Sequence, residues 1–332
     1  MVNHRGAIKI AFLLLLLSTT LAVNAGVRID LDEPKAVLAI LEKRGAVTDE
    51  DWRRLFATEG YVRLKQREAA MQRAFDDESF KQFVLSDDLA KRAVALAETV
   101  EGWSKVDVSA ATQRALAYLP AGMTIDATIY PMIKPRTNSF VFEGNAIFKY
   151  VDPEESAAKF ENTMAHELHH IGQAQSCVAS VESLPQPLSD LRTWLSAFGE
   201  GAAVLAAAGG LNVHPHAVSG AEERARWDRD MEHWKSDLRV VEKFLLRVKR
   251  GELKGDAQRT AGMEFFGVHQ GPWYTVGWQM AVAIEKAFGR KALIDAGCDR
   301  RTLIPIYNRA ARKLGLPRFS RELADAFRRT KP

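Results

Sequence analysis

One segment limits the possible folds of this chain more than any other, because it needs a buried side and a polar side at once. Residues 157–175 have apolar side chains at the three- and four-residue spacing of an amphipathic helix. The apolar stripe is formed by Ala157, Phe160, Met164, Leu168 and Ile171. The same segment holds three of the chain's eight histidines. The fold must therefore bury one face of this helix and leave a cluster of imidazoles on another.

The histidine cluster has the spacing of a metal site. His166 and His170 lie four residues apart on the predicted helix, so both side chains point the same way, one turn apart. With Glu167 they form the pattern H-E-x-x-H. In it two imidazoles bind Zn²⁺ at about 2.0–2.1 Å, and the glutamate accepts a proton from the attacking water. His169 points about 100° away from His170 and is expected to support the site or lie at the surface rather than bind the metal. A chance match to the pattern is the alternative.

A catalytic zinc site needs a third protein ligand, and Glu200 is the strongest candidate. It is the only charged residue between Thr193 and Val213, in a segment that is otherwise small and apolar. A carboxylate in such a helix is expected to be buried, and a buried charge must be paired or bound to a metal. Small neighbours would allow two helices to approach closely; they are Gly199, Gly201, Ala202 and Ala203.

Other interpretations of Glu200 stay open at this point. The carboxylate could pair with an arginine elsewhere in the chain or face solvent. His214 and His216 are competing metal ligands, although Pro215 between them favours a loop.

These residues resemble a known group of enzymes. The H-E-x-x-H pattern followed by Glu200 in a Gly-Glu-Gly context resembles the gluzincin metallopeptidases, and more narrowly bacterial families of zinc-dependent peptidases of unknown substrate. A later segment similar to "GPWYTVG" at residues 271–277 recurs in those families, and the resemblance covers roughly Tyr130 to Leu293. It implies a Zn²⁺ cofactor, a peptide or protein substrate and an active-site helix packed beside a short mixed sheet.

The resemblance also implies how a substrate is held. A strand beside the active helix, here within Asn145–Tyr150, would bind an extended peptide by main-chain pairing. Strand addition of this kind gives little sequence preference, so the sequence predicts no particular substrate.

A zinc hydrolase usually needs a second donor beside the metal to stabilise the oxyanion, and two residues near 271–277 are candidates. Tyr274 lies at the edge of the apolar stripe of a predicted helix, where its ring can be buried while its hydroxyl reaches a polar cleft. His269, just before that helix, could donate if protonated. The alternative is that Tyr274 packs in the core and that His269 is an ordinary loop residue.

The pattern along the rest of the chain predicts a mainly α protein with a small β-sheet, an α+β fold. Residues 33–119 show helical spacings, and residues 123–133 and 139–151 predict two or three strands. Asp152 and Pro153 fit the start of the histidine-bearing helix. We therefore expect a signal peptide at residues 1–25, a helical N-terminal region at 26–119 and a zinc-peptidase-like catalytic region at 120–332.

The N-terminus predicts export. A basic start is followed by an apolar run and the small-x-small pattern Val23-Asn24-Ala25, which is typical of a secretory signal peptide cut near Ala25. Its removal takes Arg5 and Lys9 and lowers the net charge from +4 to +2. So balanced a charge argues against a nucleic-acid partner. We expect a periplasmic or secreted protein without stable membrane insertion, and an uncleaved anchor is the alternative.

Two cysteines, Cys177 and Cys298, could form a disulfide in an oxidising compartment, but sequence cannot show whether they meet. Three functions are compatible with these observations. The first is an exported zinc metallopeptidase. The second is a non-catalytic protein with a closed zinc site, which would need a fourth ligand such as His269 or His214. The third is a metal-free helical binding protein of the cell envelope.

Overall fold

Helices make up most of the chain, as the sequence predicts. The computed structural model describes residues 26–136, 139–177, 184–267 and 270–328. Its helices are α1 (Asp32–Lys43), α2 (Asp49–Ala57), α3 (Glu59–Ala70), α4 (Asp77–Val84), α5 (Asp87–Ser104), α6 (Val108–Leu116), α7 (Ala157–Ser176), α8 (Leu188–Ser196), α9 (Gly199–Ala208), α10 (Ala221–Lys249), α11 (Gly255–Met263), α12 (Pro272–Phe288), α13 (Arg290–Cys298), α14 (Leu303–Leu314) and α15 (Arg321–Ala324). Its strands are β1 (Val27–Ile29), β2 (Ala127–Met132), β3 (Phe140–Phe142) and β4 (Ala146–Tyr150).

Two predictions fall on residues that the structure does not describe. The predicted signal peptide at residues 1–25 and the candidate donor His269 both lie outside the described residues. Within the described part of the chain, none of the helices has the length and apolar character needed to cross a membrane.

The four strands form one mixed sheet in the order β1-β2-β4-β3. β2 is parallel to both β1 and β4, while β3 runs antiparallel to β4. β1 was not predicted, because three residues are too few to show a strand period. β4 lies between β2 and β3, and both of its edges are paired along Ala146–Phe148. The expected pairing of a substrate with the strand within Asn145–Tyr150 is therefore excluded along Ala146–Phe148, and among the described strands β1 and β3 lie at the edges of the sheet.

One predicted helix start is corrected. The histidine-bearing helix begins at Ala157 rather than near Asp152. The Ser156 hydroxyl accepts the cap hydrogen bond there, while Glu155 pairs with the buried Lys149 at 2.6 Å instead of capping the helix.

The segment around Glu200 forms two helices, α8 and α9, with Ala197 and Phe198 between them. α9 ends at Ala208, and Gly209 after it adopts a left-handed conformation with φ of 85°.

α7 lies between two hydrophobic clusters. Its side chains Phe160, Met164, Leu168 and Ile171 are fully buried against the sheet, in a cluster that also contains side chains from the N-terminal helices, among them Trp103. Each such burial contributes about 1.5–3 kcal/mol. Ala157, the first residue of the predicted stripe, is exposed. The second cluster, on the other side of α7, is built mainly from α10, α12 and α14.

A disulfide fixes the end of α7. Cys177, the residue after the helix, is bonded to Cys298 at the end of α13, with their Cα atoms 4.7 Å apart. The bridge that the sequence left open therefore forms in this fold. It joins the histidine-bearing helix to the C-terminal helices across 121 residues of sequence.

Candidate metal centre

α7 and α9 bring three ligand atoms together. The Nε2 atoms of His166 and His170 are 3.1 Å apart, and each lies 3.2 Å from Oε2 of Glu200. Bonds of about 2.0–2.1 Å in a tetrahedral zinc site separate the ligand atoms by about 3.3 Å. The triangle is thus the right size for zinc, and it is the one group of at least three metal-ligating residues in the described chain.

Glu200 reaches the histidines because α9 packs with little space between backbones. A Cβ atom on Gly201 would lie 1.9 Å from the backbone nitrogen of Trp278 in α12, and one on Gly277 would lie 2.7 Å from the carbonyl oxygen of Phe198. α9 also contacts α7. The close helix approach predicted from the small residues around Glu200 is confirmed, with Gly277 as the facing position.

The charges of the centre favour an ionised carboxylate. Burial alone would raise the pKa of Glu200, but the neighbouring His170 and His166 outweigh it and hold that pKa well below its usual range. For His170, burial would lower the pKa, and Glu200 reverses this so that the pKa is raised. About a fifth of the Glu200 side chain, 20%, stays exposed. The carboxylate is therefore available as a charged ligand.

One member of the ligand triangle, His166, borders a cleft of about 180 Å³. Glu167 and Tyr274 both line it beside His166. The Tyr274 ring stacks on the His166 ring, with centroids 6.3 Å apart and planes 19° apart. Burial, reinforced by the charges of Glu200 and Glu167, raises the pKa of the tyrosine hydroxyl. The hydroxyl thus keeps its proton and can act as a hydrogen-bond donor in the cleft.

The competing histidines are engaged elsewhere. Nε2 of His214 lies 2.8 Å from Oδ1 of Asp228. His216, only 3% exposed, has Nδ1 at 2.9 Å from the Ser219 hydroxyl and Nε2 at 2.7 Å from Oε1 of Gln270. Neither histidine joins the ligand triangle.

His216 and Gln270 nevertheless line the same cleft as Glu167, which the sequence did not predict. The His-Pro-His sequence predicted only a loop at this place, and nothing in it shows which part of the fold the loop faces. His169 lies outside the ligand triangle. It is buried at 2% exposure, and this burial lowers its pKa to about 3.

Comparison with known protein families agrees with this geometry. A sequence model of the family described as "Putative zinc dependent peptidase (DUF5700)" matches residues 52–315. The chain belongs to this family. The family match contains all three ligands of the triangle, and it begins in α2, so it extends well beyond the region 130–293 on which the gluzincin resemblance rests. Neither a curated protein nor a solved structure matches the chain.

Proposed function

We propose that this protein is an exported zinc metallopeptidase of the gluzincin type, with His166, His170 and Glu200 as the zinc ligands. The observation that carries the proposal is the ligand triangle, whose sides of 3.1–3.2 Å fit a zinc ion. Membership of a family described as zinc-dependent peptidases supports it. A zinc ion bound there would polarise the scissile carbonyl and acidify the attacking water.

The protein's own residues would carry the proton transfers. Glu167, in the cleft beside His166, would take the proton of the attacking water and then give it to the amine that leaves. The Tyr274 hydroxyl would donate a hydrogen bond to the oxyanion that develops on the carbonyl oxygen.

A catalytic site is favoured over a closed structural site. A structural zinc site needs four protein ligands, and the described residues supply three. His214, one candidate for the fourth, is held by Asp228. A site with three protein ligands leaves one position for substrate or water.

Metal analysis of the Glu200→Ala variant tests the proposal. We expect the wild-type protein to contain one zinc ion and to hydrolyse a mixed peptide library in a zinc-dependent manner. Since changes beside a ligand already cost about 10–100-fold in metal affinity, loss of the ligand Glu200 should cost roughly 100-fold or more. Zinc content and affinity are measured by elemental analysis and competition with a chelator.

Glu161→Ala is the matched control for that experiment. Glu161 lies on α7 but pairs with Arg114 at 2.8 Å, away from the triangle, so zinc affinity should not change. A Glu200→Ala variant with wild-type affinity would exclude Glu200 as a ligand. A zinc-bound protein that cleaves no peptide in the library would contradict the proposed peptidase activity but not the proposed metal site.

The role of Tyr274 predicts a specific kinetic effect. Tyr274→Phe should lower kcat by about 10²–10³-fold, the usual cost of one oxyanion donor, with zinc content unchanged. Tyr130→Phe, a change at a buried tyrosine of β2, is the control and should keep wild-type turnover. Wild-type turnover in Tyr274→Phe would contradict the oxyanion role and mean that the Tyr274 ring only packs in the core.

Export is a separate part of the proposal. The disulfide between Cys177 and Cys298 supports it, since such bonds persist mainly in oxidising compartments. N-terminal sequencing of the purified mature protein should give a start near Gly26. A membrane-bound product that keeps residues 1–25 would contradict both the cleavage and the periplasmic or secreted location.

A further inference from the structure

A small cavity lies behind the metal centre, among α7, α9, α12 and α13. Its volume is about 20 Å³, and its wall is mostly apolar. Four side chains with polar atoms also line it: Tyr118, His169, Gln173 and Arg300. A cavity needs about 10–15 Å³ to hold one water molecule, so this one accommodates a single small species.

Arg300 brings a positive charge to this cavity without a compensating carboxylate. Its Nη2 donates a hydrogen bond to Oε1 of Gln173 at 2.6 Å, and no described carboxylate forms an ion pair with it. The neighbouring Arg301, by contrast, pairs with Asp299 at 2.9 Å. Burial lowers the pKa of Arg300 to about 10, so the guanidinium stays charged at neutral pH. Arg300 is half-buried, and a charge that is partly removed from water is costly unless it is paired.

The amide of Gln173 adds hydrogen-bond donors to the same wall. Gln173 uses its amide oxygen for Arg300, which leaves its amide N–H groups as donors. The cavity thus combines a fixed positive charge with amide N–H donors in a mostly apolar wall.

We propose that this cavity is a binding site for a small monovalent anion of the chloride class, held by Arg300 and the amide of Gln173. A water molecule would satisfy the polar atoms but would leave the guanidinium charge uncompensated, and an anion meets that need. The site is lined by His169 and Gln173 of α7 and by Ala202 of α9, the two helices that carry the proposed zinc ligands. An anion there would stabilise the packing that holds α7 against α9, whether or not zinc is bound.

Bromide tests the site in the intact protein, because it replaces chloride and scatters anomalously. Crystals of the wild-type protein grown with sodium bromide should show an anomalous peak within hydrogen-bond distance of Arg300. Density for a water molecule only, without an anomalous signal, would overturn the proposal. This experiment depends on neither zinc nor peptidase activity, so its result is independent of the proposed function.

Thermal stability tests the site in solution. Replacing gluconate with chloride at constant ionic strength should raise Tm in a saturable way, by roughly 2–3 °C at about ten times the dissociation constant. Arg300→Gln should abolish this chloride dependence, whereas the control Arg301→Gln should keep it. Equal Tm values in the two salts for the wild-type protein would overturn the proposal and mean that any crystal signal reflects binding at crystal concentration only. If Arg300→Gln does not fold, the bromide crystals and the chloride dependence of Tm of the wild-type protein still test whether an anion binds in the cavity.

Discussion

Replacing Glu167 with glutamine should leave zinc bound and remove hydrolysis. The amide keeps the size of the side chain but cannot accept the proton of the attacking water, and general bases of this kind contribute about 10²–10⁴-fold to rate. Glu167 lines the cleft beside His166 but does not belong to the ligand triangle. We therefore expect kcat/KM to fall by about that factor while zinc content and Tm stay at their wild-type values.

The control for this variant is Glu161→Gln, the same substitution on the same helix at a residue paired with Arg114. It should retain full activity. If Glu167→Gln lost zinc together with activity, Glu167 would be a metal ligand rather than the general base. Full hydrolysis by Glu167→Gln would require a different base.

The second large effect is expected at a residue that touches neither metal nor substrate. Gly201→Ala would place a Cβ 1.9 Å from the backbone nitrogen of Trp278 and 2.1 Å from the carbonyl carbon of Gly277. Backbone atoms cannot rotate aside, so α9 must move away from α12 and carry Glu200 with it. We expect a loss of about 3 kcal/mol or more in the free energy of unfolding, together with weakened zinc binding. Denaturant unfolding and zinc competition measure the two effects.

Gly102→Ala provides the matched control. Gly102 also lies inside a helix, α5, but a Cβ there would have no atom within 4 Å. Alanine should stabilise this position by about 0.5–1 kcal/mol, because glycine loses more backbone entropy on folding. If Gly201→Ala were as stable as Gly102→Ala, the close approach of α9 and α12 would not be what positions Glu200.

The sequence by itself determined the features that depend on neighbours along the chain. Helical periodicity alone predicts that the side chains of His166 and His170 point the same way. It also predicts the apolar stripe that is buried on the other side of α7. β-branched and aromatic residues marked the two segments that contain β2, β3 and β4. Glu200 stood out because a single charge in an apolar helix needs a partner. These signals are local, and the structure reproduces them.

Only the tertiary structure decided what depends on segments far apart in sequence. Glu200 lies 30 residues from His170, and the packing of α9 against α7 and α12 puts the two within 3.2 Å. The sheet order decided that β4 lies inside the sheet, since a strand's neighbours are fixed by pairing rather than by its own residues. The cavity beside Arg300 arose in the same way, from helices that lie far apart in the sequence. The periodicity of a sequence specifies which face of a helix or strand is buried. Only the packing of the folded chain specifies which residues that face contacts.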